Sequence, residues 1–410
     1  MAINKYLPFA ILYFFFNTAG LPHGLTWMTI LCPWLYCWIF WTQKKEPLWP
    51  FWLLLSPFVI LHFIHGVEPK AYLVSFLNLT AVYIFARAFH VYARRVADWE
   101  RILQVILVLN FALCLLAIPF YFTPWWDLFW IEQYLTEGFD SFRRLKLFTY
   151  EASYYATLFV PVFFFFLLKI LLKQNRIPVW LLLPMLALPY LLSFSIGVLA
   201  SIFFCIGLLI LVYAPQLLKR RRVMNALLLT GSLLMVGLSL LAIFYPGNPL
   251  FVRIENILTG HDSSGKGRTS EAFMLAKAMI ALKSECWGIG FGQIKILGES
   301  IVRNYYNYDA AYAITLPNAS AETLAVTGWA GFVLRLLITV GLFFYTRVWR
   351  NYFRFLLFAF VFLYQFTGSY ITSQVEYMIW ILAFTNIFPE FDVPRATVRL
   401  APKTVTNDEQ

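Results

Sequence analysis

Charged side chains are scarce in this chain: 13% of its 410 residues, where soluble globular domains carry about 25%. That scarcity excludes a soluble enzyme with a single anchor and a disordered chain. Cysteine is equally sparse. Of five, Cys32, Cys37, Cys114 and Cys205 lie in apolar runs and Cys286 stands alone in a polar segment. No secreted disulfide scaffold and no metal-ligand spacing follow from that pattern. The histidines (His23, His62, His65, His90, His261) form no HExxH, and no GxSxG elbow or Walker loop is present. A small-residue cleavage site is missing from 1–21, so the first apolar run reads as a retained span rather than a signal peptide.

Apolar residues are what is there, at 61% of the chain, with 20% aromatic. The runs are continuous, as in 163–172 and 226–245, which excludes the alternating strands of an outer-membrane barrel. Apolar residues suffice for roughly twelve helical spans of about 20 residues. Twelve fit the chain, near 6–20, 25–42, 48–65, 70–89, 101–122, 149–172, 178–192, 194–214, 226–245, 317–345, 353–372 and 376–389. The seventh and eighth make a tight hairpin around 193–197. The predicted fold class is therefore an all-α polytopic membrane protein.

The net charge is +11. In a soluble domain such a balance favours nucleic acid; in a polytopic chain it reflects cytoplasmic loops, and no nucleic-acid partner is expected. With twelve spans, Lys44–Lys45, Arg94–Arg95–Arg101, Lys173–Arg176, Lys219–Arg222, Arg347–Arg350–Arg354 and the tail all fall on one side. Both termini are then cytoplasmic. The opposite side carries two sizeable segments, 123–148 and 246–316. The second, about 70 residues, is long enough to expect function of it. Phe273, Ala276, Met279 and Ile280 give it a helix near 269–283, and Gly288–Gly292 follows as a turn or loop. The predicted organisation is nine spans with a short external segment over 1–245, a loop domain over 246–316, three spans over 317–389 and a polar, poorly ordered tail over 390–410.

Cations on the translocated side run against the positive-inside tendency. Arg143, Arg144 and Lys146 form one cluster at a span boundary, suited to an anion or to lipid headgroups. Glu151 follows, at the start of the sixth span. It either caps the helix electrostatically, orients Arg144 or binds a sugar hydroxyl. Tyr150, Tyr154 and Tyr155 beside it are interfacial belt residues or stacking faces for sugars. Arg253 and Arg268 form a second cluster. Arg268 opens the loop helix, where free N–H groups favour anions and a guanidinium fork matches phosphate oxygens. Asn318 and Glu322 lie four apart on one helical face, with Gly328-Trp-Ala-Gly331 after them. Glu322 is either a structural partner for an arginine or a base. Gln365, Tyr370, Gln374 and Glu376 add polar groups at the external ends of the last two spans. His261, beside Asp262, is a further candidate base.

These parts, in this order, resemble the O-antigen ligase / O-antigen polymerase family of bacterial polysaccharide enzymes. The segments carrying the resemblance are Arg144-Leu-Lys-Leu-Phe-Thr-Tyr-Glu151-Ala-Ser, Gly267-Arg268-Thr269 leading to Gly288-Ile-Gly-Phe-Gly292, and Asn318…Glu322…Gly328-Trp-Ala-Gly331. They cover about 140–335. Pro317 stands where ligases carry a His before the Asn, and Ser195-Ile-Gly197 where many members have Ser-Arg-Gly. The missing His and the Glu-Ala-Ser form favour a polymerase over a ligase. The resemblance implies a metal-independent, inverting GT-C-type glycosyltransferase in the bacterial inner membrane, without a cofactor, its site facing the periplasm. Its donor would be an undecaprenyl-diphosphate-linked oligosaccharide and its acceptor a second lipid-linked glycan, with a chain-length regulator as a further partner. Arg144, Lys146, Arg253, Arg268, Asn318 and Tyr154 would bind diphosphate and sugar, and Glu322, Glu151 and Arg268 would carry the chemistry. A ligase acting on lipid A core or protein is the alternative. A transporter or flippase would instead call for mid-membrane charges and inverted repeats.

Overall fold

The computed structural model describes residues 7–16, 27–42, 48–133, 142–218, 263–306 and 314–394, with isolated positions between 243 and 259. Apolar runs become helices: α1 Leu7–Phe16, α2 Trp27–Thr42, α3 Trp49–Ile64, α4 Pro69–Arg95, α5 Trp99–Phe120, α6 Ala152–Leu171, α7 Val179–Ser193 and α8 Ile196–Leu218. The long loop supplies α9 Ser263–Arg268, α10 Ser270–Ala281 and α11 Glu299–Tyr306. The chain then closes with α12 Ala319–Tyr345, α13 Tyr352–Tyr364 and α14 Gln374–Phe384. Among the described residues, five stretches are long and apolar enough to cross a membrane: Pro69–Arg95, Trp99–Phe120, Ala152–Leu171, Ile196–Ala214 and Ala319–Arg350. Most of the ninth predicted span, 226–242, lies outside the described residues.

Local signals set the boundaries. Glu68 accepts from the N–H groups of Lys70 and Ala71 ahead of Pro69, and Asp98 caps Arg101 at 3.0 Å; each satisfies donors that a helix start leaves open. Phe194, with φ +48°, ends α7 and makes the expected hairpin into α8. Two departures matter for function. The segment 123–148 holds an antiparallel hairpin, β1 Trp130–Gln133 with β2 Phe142–Leu145, in register Trp130↔Leu145 and Ile131↔Arg144. Its burial alternates weakly, so sequence periodicity did not show it. Helix α13 stops at Tyr364, short of the expected 372, because the polar run Gln365–Ser373 folds into a loop, and α14 ends at Phe384 rather than 389.

Helix α6 is the axis of the main core. Phe159, Phe164 and Phe165 are wholly buried against Phe353, Phe360 and Phe391, and α7, α8, α13 and α14 pack around it. Phe391 anchors the beginning of the expected tail, and Asn351 bridges to Asp392. A second core joins the long loop to the spans: Leu275, Met279, Ile280, Ile289 and Phe291 pack on Tyr72, Phe76 and Leu324. The 263–306 part of the loop is thus not a separate hydrophilic unit.

The two glycine motifs of the sequence meet each other. Helix α12 breaks at Gly328 (φ +65°), and the run 285–290 is threaded into the break. Ile289 and Gly290 donate to the carbonyls of Ala325 and Val326 at 2.9 and 3.0 Å, and Trp329 and Ala330 donate to Glu285 and Cys286, both at 3.0 Å. The foreign strand takes over hydrogen bonds that the broken helix loses. A Cβ at Gly288 would lie 2.5 Å from the Gly328 nitrogen, and one at Gly328 would lie 2.3 Å from the Cys286 carbonyl. Only glycine permits that approach.

Candidate functional site

At the start of α6 the chain arrives extended at Glu151 (φ −147°, ψ 144°). Its carboxylate does not cap the helix backbone. It accepts from the Ser153 hydroxyl at 2.5 Å and from Arg268 Nη2 at 3.0 Å. Arg268 ends α9, 117 residues on, and Asn318 fixes it there. The Asn318 amide donates to the Arg268 carbonyl at 2.8 Å and to the Phe366 carbonyl at 2.6 Å, while its oxygen caps Ala321 at 2.8 Å. One wholly buried side chain therefore ties the long loop, the start of α12 and the 365–373 loop together.

Tyrosines surround the pair. Tyr150 and Tyr154 lie with ring centroids 4.8 Å apart, and Tyr364, Gly368, Ser369 and Tyr370 form the facing wall. A side-chain carbon at 368 would sit 3.4 Å from Arg268 Nη1. The cavity left between them, about 20 Å³, has room for about one water. Burial pushes the Glu151 carboxyl up, but Arg268, Ser153 and the field of Arg144 outweigh it and hold it below the ordinary glutamate value. Burial lowers the Arg268 pKa and Glu151 more than restores it, for a net rise. The two groups are a charged pair. Burial, then the Glu151 charge, raises Tyr370, which keeps it a hydrogen-bond donor.

The 365–373 wall is held from behind by a network inside the helices. Arg335, from the second half of α12, donates to Gln365 at 3.0 Å, to Thr323 at 3.3 Å and to Glu376. Glu376 accepts also from Ser369 at 2.5 Å and Trp380 at 3.2 Å. Glu322 accepts from the Ile371 N–H at 2.8 Å, so it braces the wall and is not part of the cavity lining.

The structure thus brings Glu151, Arg268, Tyr154 and Asn318 together. Arg144 is placed differently. It is 6% exposed and locks the hairpin to the α7–α8 turn through Ser193, Gln133 and Ser195 at 2.9, 2.7 and 3.0 Å. Lys146 is half-buried on the same hairpin, its pKa lowered by burial against the pull of Asp127. Arg253 and His261 lie outside the described residues. Sequence reasoning missed Arg335, Tyr364, Gly368 and Ser369. Arg335 carried a signal, an ionisable residue inside an apolar run; the other three carried none, since an aromatic or small residue in a span reads as packing. No group of three or more His, Cys, Asp or Glu side chains stands together among the described residues. Comparison with protein-family models gave no match for this chain, and comparison with curated proteins gave none.

Proposed function

We propose that the chain is an inverting membrane glycosyltransferase that joins undecaprenyl-diphosphate-linked oligosaccharide units at the periplasmic face of the bacterial inner membrane. In this reading twelve spans put the basic loops in the cytoplasm and the Glu151–Arg268 site outside. The observation that carries it is the buried-edge ion pair in a tyrosine-lined pocket, assembled from three segments that converge where α6 begins.

The chemistry follows from the pair. Transfer forms a bond from an acceptor hydroxyl oxygen to the anomeric carbon and breaks the bond from that carbon to the diphosphate, which leaves with the electron pair. Negative charge grows on the diphosphate, and a fixed guanidinium there stabilises the transition state. Arg268 binds phosphate oxygens in its planar fork. Its withdrawal from Glu151 removes the main influence lowering that carboxyl and leaves burial to raise it. Glu151 then accepts the acceptor's proton. Donor binding and base activation are one event. Because the cavity is small, the tyrosine wall and the carboxylate move aside as the donor enters.

Arg268→Ala abolishes glycan transfer from a purified lipid-linked donor while membrane insertion and purification stay normal. Wild-type transfer by that variant would remove the reaction from this site. In cells lacking the chain, carrier glycan held at single repeats supports polymerisation; long glycan accumulating on the carrier would assign a ligase instead.

A further inference from the structure

A second cavity, about 950 Å³, lies between the end of α8, the turn 346–351 that joins α12 to α13, and the segment following α14. Three arginines line it, Arg347, Arg350 and Arg354, facing a single carboxylate, Asp392. Asp392 already accepts from the amides of Asn351 and Asn386 at 2.8 and 3.4 Å. No ion pair joins any of the three guanidinium groups to an acid among the described residues.

Arg354 forms the floor. It is 5% exposed, and it donates from Nε to the Ala383 carbonyl at 2.8 Å and from Nη2 to the carbonyls of Thr346 and Phe384 at 2.8 and 3.2 Å. Neutral carbonyls orient that charge, and no acid makes an ion pair with it among the described residues. Arg347 and Arg350 are exposed above it. Arg347 is held in the left-handed region at φ +55°, a conformation that costs a non-glycine residue about 1 kcal/mol or more. The turn itself is fixed: Tyr213 donates to the Trp349 carbonyl at 2.5 Å, and Val393 donates to the Arg350 carbonyl at 2.8 Å.

Depth decides what kind of anion belongs here. The cavity opens at the end of the apolar stretch Ala319–Arg350. Phe344 and Tyr345 on its last turn are 59% and 84% exposed, with Trp349 at the cavity wall. Tyr345 and Trp349 are amphipathic, and such aromatics at a span end mark the boundary between hydrocarbon and water, which is where phospholipid phosphates lie. We propose that this cavity binds the phosphate of an anionic phospholipid headgroup, with Arg347 and Arg350 as its ligands and Arg354 as the charge beneath them. The site is at the opposite end of α12 from Glu322 and does not depend on the glycosyl-transfer reading.

The probe is phosphatidylglycerol titrated onto the delipidated full chain in detergent and read by native mass spectrometry, with phosphatidylcholine alongside. Phosphatidylglycerol binds about tenfold tighter than phosphatidylcholine, and Arg347→Gln with Arg350→Gln removes that preference, as expected where surface cations attract anionic headgroups. Arg347→Lys with Arg350→Lys keeps part of it, since a point charge does not replace a fork. Arg94→Gln with Lys173→Gln removes the same charge from other exposed loop positions and leaves it intact. Inorganic phosphate at millimolar concentration weakens the lipid competitively. Equal affinity for both lipids, or an undiminished preference in the glutamine double variant, overturns the site. Binding of inorganic phosphate without phosphatidylglycerol overturns the lipid as its source.

Discussion

Two ion pairs stand near the 365–373 loop, one on each side of it, and they differ in how completely they are satisfied. In the inner pair, Arg335 and Glu376 have side chains 17% and 1% exposed, and each has further partners: Gln365 and Thr323 for the arginine, Ser369 and Trp380 for the carboxylate. In the outer pair, Arg268 and Glu151 are 32% and 17% exposed at 3.0 Å. Arg268 makes one side-chain bond, to Glu151, and its remaining N–H groups meet no acceptor among the described residues. A pair whose members each hold several further partners keeps architecture in place. A pair with donors left over is available to a ligand.

The largest expected effect tests the inner pair. Arg335→Ala or Glu376→Ala leaves an uncompensated buried charge and lowers unfolding free energy by about 3–5 kcal/mol, read as a fall in the thermal midpoint in detergent. Replacing both, Arg335→Met with Glu376→Leu, returns most of that loss, because apolar pairs of similar volume are often as stable. Arg268→Ala has the reverse signature. It changes stability by about 1 kcal/mol or less, as half-open pairs do, and costs transfer about 100-fold or more. Equal destabilisation by Arg268→Ala and Arg335→Ala breaks the comparison.

Next in size is the glycine crossing at the break in α12. Gly288→Ala or Gly328→Ala adds a carbon at 2.5 or 2.3 Å from backbone atoms at positive φ, a strain of about 1–3 kcal/mol before any rearrangement. Both variants lower the thermal midpoint, whereas Gly197→Ala, whose added carbon meets nothing within 4 Å, leaves it unchanged. A smaller effect sharpens the outer pair. Arg268→Lys keeps the charge and loses the fork. It retains folding and loses about tenfold in transfer, the cost of one charge-assisted hydrogen bond.

What the sequence made legible follows from what leaves a pattern in it. Long apolar runs predict spans, and helices occupy every such run that the structure describes. The 3.6-residue period predicted the loop helix, whose Ala276, Met279 and Ile280 are buried on one face. Cations in a segment expected on the translocated side pointed to Arg268, and a carboxylate at an expected span start pointed to Glu151; their partnership across 117 residues has no local trace. Gly288–Gly292 read as a turn or loop, and its crossing with Gly328 has no local trace in the sequence. Arg144 shows the limit in the other direction. Its charge and position fit an anion, yet folding gives it three acceptors in the hairpin and the turn. Only the count of remaining donors separates it from Arg268.

The smallest effect concerns acid. Glu151 has its carboxyl held below the ordinary value, so it binds fewer protons folded than unfolded in the range just under that value. Its pair therefore contributes stability that is fully present above about pH 4.3, the ordinary glutamate value, and is lost as pH falls through the lower folded value. The difference in thermal midpoint between the wild type and Glu151→Gln is constant from about pH 5 to 8 and closes toward zero in stronger acid. In Arg268→Ala the carboxyl keeps its burial and loses its main partner, so its protonation moves to higher pH. A midpoint difference that already closes near neutrality in the wild type would mean that burial, not Arg268, governs Glu151. Donor binding would then have no paired carboxylate to release.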